Sequence, residues 1–94
     1  MRSDAPDELL DSYDVLARAY PEGVPDSDYW ALLAVLDEDF SNRQLAALVA
    51  AFTGRHPIDV DNDHAAAMSI RKPDPKRVVV VQQRLRVAGY SPTP

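Results

Sequence analysis

The chain has 94 residues, 46% of them hydrophobic, a net charge of −5 and no cysteine. This length suits one domain with one modest core, and the missing cysteines exclude disulfides, thiolate metal sites and a cysteine nucleophile. The charge is uneven: residues 1–40 hold eleven acids against two bases, a net of −9, and residues 41–94 hold eight bases against four acids, a net of +4.

No apolar run approaches the roughly 18–20 residues of a membrane span, and the N-terminal stretch lacks the apolar core of a secretory signal. The expectation is one cytoplasmic domain over 1–94, away from membranes, with flexible ends at 1–6 and 91–94. Helix 1 is expected over 7–20, where Leu9, Leu10, Tyr13, Leu16, Ala17 and Tyr20 recur at spacings of three and four. Pro21 ends it. After the connector "YPEGVP", Asp26 or Ser27 is expected to cap a second helix reaching Phe40. Its apolar face is Tyr29, Leu32, Leu33, Leu36 and Phe40, with Trp30 at the edge. In "SNRQLAALVAAFTG", Ser41 and Gln44 have capping-box spacing, Leu45, Leu48, Val49 and Phe52 form a stripe, and Gly54 stands where a left-handed terminator belongs.

Helix 4 is expected over 60–70, with Val60, His64, Ala67 and Met68 on one face. The fifth helix, over 75–88, starts with Asp74 as N-cap and Pro75 in the first turn, and Gly89 closes it. Its valine run, 78–81, favours a strand, but a lone strand would find no partner here and the "QQRLR" that follows is good helix sequence. The sequence therefore predicts an all-α fold of five short helices and no sheet. Its core should comprise Leu10, Tyr13, Leu16, Tyr20, Tyr29, Leu32, Leu33, Leu36, Phe40, Leu45, Leu48, Val49, Phe52, Val81 and Leu85.

The string "YPEGVPDSDYWALLAVL", a capped helix, an "ID" pair and a proline-initiated last helix ending in "LRVAGY" together resemble a family of small actinobacterial proteins known as a domain of unknown function. The resemblance runs from Leu10 to Pro92. Its most specific part is Tyr20-Pro21-Glu22-Gly23-Val24-Pro25, with Asp28-Tyr29 just beyond. It implies a compact all-helical domain and no assigned activity. This chain departs from the family pattern at "GYSP", where a tryptophan commonly follows the glycine, and at Val79 and Val80, where charged or polar residues are expected.

The stretch "HPIDVDNDHAAAMSI" invites a metal reading. Counted from Asp59 as a calcium loop, Asp61 and Asp63 fill positions 3 and 5, but His64 replaces the turn glycine and Ile70 the bidentate glutamate. Capping accounts for these acids better: Asp59 or Asp61 starts helix 4, Asp63 sits in its first turn, His64 faces the core and His56 lies exposed in a loop. No phosphate loop, G-x-S-x-G or H-E-x-x-H occurs in the sequence. No catalytic residue, cofactor or metal ligand is expected.

Two binding functions remain. On helix 5, Val78, Val81, Leu85 and Ala88 point one way, and Val80 and Val87 nearly opposite. Val79, Val80 and Val87 form a candidate interaction surface for a protein partner or a second copy. The alternative is weak nucleic-acid binding by a basic face of Arg71, Lys72, Lys76, Arg77, Arg84 and Arg86. A pI near 4.7 and the lack of interleaved base-reading side chains weigh against it.

Overall fold

The computed structural model describes residues 9–90. These form α1 (Leu10–Ala19), α2 (Asp26–Asp37), α3 (Asn42–Thr53), α4 (Pro57–Ala67) and α5 (Pro75–Val87), with no strand among the described residues. The all-helical architecture is the one expected. The ends expected to be flexible, 1–6 and 91–94, lie outside the described residues.

The middle of the fold is α2, which packs against α3, α4 and α5. A one-sided stripe was expected here. Instead Tyr29, Ala31, Leu32, Leu33, Val35 and Leu36 are all buried, because neighbours cover the helix on most sides. It ends at Asp37, short of Phe40, which is half-buried just beyond. Neither Asp26 nor Ser27 caps it: the cap position is Pro25, and no side chain bonds the free N–H groups there. Asp26 and Asp28 instead place their charge in the first turn, against the positive end of the helix.

α3 follows its sequence signals closely. Ser41 Oγ accepts from the Gln44 N–H, Gln44 Oε1 accepts from the Ser41 N–H, and Gly54 closes the helix at φ 77°. Tyr13 of α1 meets Phe52 of α3 edge to face, ring centres 5.5 Å apart, so both rings pack from the margin and stay half-buried. α5 is helical through its valine run, capped by Asp74, whose carboxylate accepts from the Lys76 N–H at 2.9 Å.

α4 starts three residues earlier than expected. Pro57 takes the first helical position, and the cap is His56, whose Nδ1 accepts from the Ile58 N–H at 3.1 Å. Asp59 is thus a first-turn residue, and Asp61 and Asp63 lie inside the helix; none of the three caps it. The face nevertheless holds: Val60, His64 and Ala67 are buried. Met68 falls past the last turn and is 44% exposed.

The core contains eleven of the expected side chains and adds Leu9, Val15, Ala19, Ala31, Val35, Ala46, Ala50, Val60 and Ala67. Leu10, Tyr13, Phe40 and Phe52 are only partly covered. Burying a leucine or valine contributes roughly 1.5–3 kcal/mol.

Candidate functional site

Four arginines from the basic second half of the chain reach back to residues 19–30. Arg77 Nη1 bonds Asp28 Oδ1 at 3.2 Å, and Asp28, 3% exposed, also accepts from the Tyr20 hydroxyl at 3.0 Å. Arg84 donates to the Ala19 carbonyl and lies over the Tyr20 ring. Arg55 covers the Tyr29 ring, 4.1 Å from its centre, and pairs loosely with Asp26. Arg71 lies 4.3 Å above the Trp30 ring. The charge asymmetry of the sequence is therefore partly consumed in holding the fold.

Three tyrosines make the same kind of bond across the molecule: Tyr20 to Asp28, Tyr29 to Asp63 at 2.8 Å, and Tyr90 to Asp39. Burial pushes all three hydroxyls well above their ordinary range. The bond to each carboxylate, and that carboxylate's charge, push the same way.

These contacts also disperse the residues of the calcium-like stretch. Asp63 serves Tyr29, His56 caps α4, and His64, 4% exposed, bonds Asp37 Oδ1 through Nε2 at 2.7 Å. Among the described residues no three of His, Asp and Glu gather as a metal ion would require.

A cleft of about 600 Å³ lies between the start of α2, the α4–α5 connector and the start of α5. Arg71, Lys72, Lys76 and Arg77 line it together with the Trp30 ring, Val80 and the carboxylates of Asp26 and Asp74. Beyond Val80 a second groove of about 630 Å³ continues along α5 between Arg18, Ala19, Gln83, Arg84 and Val87. Val80 belongs to both.

Of the six basic residues singled out in the sequence, four share the first cleft and Arg84 lines the second groove. Arg86 is exposed and lines neither. Val79, Val80 and Val87 are exposed by 50%, 46% and 91%. Val80 and Val87 share the second groove; Val79 sits a third of a turn away on the helix. Sequence reasoning missed Trp30 and Arg18 as lining residues. Trp30 meets Arg71 across 41 positions and Arg18 donates to the Ala88 carbonyl across 70, separations that leave no local signal.

A family described as "Protein of unknown function (DUF3349)" matches residues 10–93. The chain belongs to this family. Comparisons with curated proteins and with solved structures return no match. In this member of DUF3349, the stretch that carried the resemblance, Tyr20 to Pro25 with Asp28 and Tyr29, is where Arg55, Arg77 and Arg84 converge. Its residues hold helices together.

Proposed function

We propose that the protein is a small helical interaction module that docks a partner protein, or a second copy of itself, through the outward face of α5. The observation that supports this is the exposure of Val79, Val80 and Val87 on the helix whose opposite side, Val81 and Leu85, is fully buried. Water-facing valines on a protein rich in charge are an unspent hydrophobic driving force. The reading includes a cytoplasmic location in an actinobacterium and no catalysis or cofactor; the cysteine-free sequence and the resemblance noted above support it.

Affinity capture from the source organism, together with sedimentation at high protein concentration, tests it with wild type and Val80→Glu side by side. Wild type is expected to retain a partner or to sediment as a dimer, and the variant to do neither. A monomeric wild type that captures the same species as Val80→Glu ends the reading.

The gathering of Arg71, Lys72, Lys76 and Arg77 in one cleft favours a second reading, weak nucleic-acid binding through phosphate contacts to this basic face. A titration with a short oligonucleotide at about 50 mM salt tests it, and no binding there rejects it.

A further inference from the structure

We infer that the partner of the α5 face is an acidic amphipathic helix, laid along the strip that runs from the Trp30 cleft over Val80 to Val87. The inference rests on the interaction reading above and specifies the chemistry of its partner.

The strip is continuous, because Val80 lines both grooves. It is periodic as well: Lys76, Val80, Gln83 and Val87 follow at intervals of four, three and four, which keeps them on one stripe of α5. Val80 and Val87 stand two turns apart, about 10 Å along the axis. A docking helix meets that spacing with apolar anchors at i and i+7, the usual geometry of a helix in a groove. The full strip, from Lys76 to Val87, measures about 16 Å, roughly three turns of a partner helix.

Charge decides the sign of the partner. Arg71, Lys72, Lys76 and Arg77 on one side of Val80, and Arg18 and Arg84 on the other, set six cations against only Asp26 and Asp74. This occurs on a protein whose net charge is −5. Arg77, Arg84 and Arg18 already donate to Asp28, Ala19 and Ala88. Lys72 and Lys76 make no ion pair within the described residues, so they are the contacts left for carboxylates of a partner.

The same features disfavour a polyanion. Screening limits the reach of exposed charge to about 8 Å at physiological salt, so a strand extending past the strip meets the acidic remainder of the surface. A nucleic acid would also leave Val80 and Val87 without apolar cover, and the Trp30 face is already occupied by Arg71. An acidic helix with a leucine stripe satisfies both the cations and the valines.

The probe is a capped 14-residue peptide with leucines at i, i+4, i+7 and i+11 and glutamates on the flanks. It is titrated to about 1 mM into isotope-labelled protein while the amide and indole resonances are followed; weak complexes of this kind have Kd values in the range such a titration reaches. Two further titrations use the same peptide with lysine for glutamate and a deoxythymidine 12-mer. The acidic peptide is expected to shift the Trp30 indole and the amides of Lys76, Val80 and Val87. The double variant Lys72→Glu/Lys76→Glu is expected to weaken it by about tenfold or more, as loss of charge complementarity does. Val87→Asp, at a position 91% exposed, costs the helix end at most about 1 kcal/mol; with its fold checked by the dispersion of its amide resonances, it is expected to weaken binding as well.

Equal binding of the acidic and basic peptides overturns the charge assignment and leaves the interaction reading standing. Binding of the 12-mer without the acidic peptide overturns the inference in favour of nucleic acid. An acidic peptide that shifts none of the α5 resonances, or that binds Val87→Asp as well as wild type, overturns the docking strip itself.

Discussion

Tyr20, Tyr29 and Tyr90 each donate a hydroxyl hydrogen bond to an aspartate from a different part of the fold. A hydroxyl bond to a carboxylate contributes about 1.5–3 kcal/mol net. Tyr29→Phe should cost the low end of that range in urea denaturation, because Asp63 is only half-buried and recovers water. The pH dependence has a definite sign. Their folded pKa values are raised above the unfolded value of about 10, so the stabilisation is complete below pH 10 and is lost as pH climbs above it. Unfolding free energy should fall above pH 10 by up to about 1.4 kcal/mol per pH unit for each tyrosine. A triple Tyr→Phe variant should lose most of that alkaline sensitivity while remaining less stable at neutral pH; an unchanged slope would refute the assignment.

Individual helices differ in how openly the sequence declares them. α3 carries a reciprocal cap and a left-handed glycine, all within fourteen residues, and both were legible because their physics is local. Ser41→Ala should lower stability by about 1 kcal/mol. Gly54→Ala should cost a similar amount, since φ 77° strains any side chain although the space around it is open. Thermal melts of the two single variants and the double check both, and the effects should add, because the two ends of α3 lie about 20 Å apart and share no partner. α4 hid its start for an equally physical reason. Aspartates are the ordinary caps, so the acid-rich stretch drew the start to Val60, yet an imidazole nitrogen at His56 accepts the same bond and Pro57 suits the first turn. The buried face survived the error because the periodicity of Val60, His64 and Ala67 does not depend on where the helix begins. α2 was misjudged in the opposite way: a stripe can be read from sequence, but the number of neighbours covering a helix cannot.

At the scale of the whole molecule, the acidic and basic halves meet in side-chain contacts to residues 19–30. The basic run was legible; its division into internal ties and an open cleft was not, because the ties link positions 41 to 65 residues apart. Arg77→Met should destabilise by about 2 kcal/mol, the low side of the cost of leaving a buried carboxylate unpaired, since Arg77 itself is half in water. Adding Asp28→Asn to Arg77→Met should restore part of that loss, because the stranded charge is removed while the amide oxygen still accepts from the Tyr20 hydroxyl. A double-mutant cycle in urea measures it, and strict additivity would show that the two side chains do not act as a pair.

Trp30 is the sole tryptophan, and it lines the cleft beneath the Arg71 guanidinium while the Tyr29 ring meets it edge-on at 5.6 Å. The molecule thus carries its own optical gauge. Light absorbed by Tyr29 passes readily to an indole so near, and the emission of that indole depends on whether a cation covers it. Anything that lifts Arg71 from the ring, such as an occupant of the cleft, changes colour and intensity without unfolding the core, whereas loss of the fold also parts the indole from Tyr13, Tyr20 and Tyr90, the tyrosines distant in sequence, and lowers transfer from them. A single unlabelled fluorimeter trace can therefore separate an event at this surface from collapse of the structure beneath it.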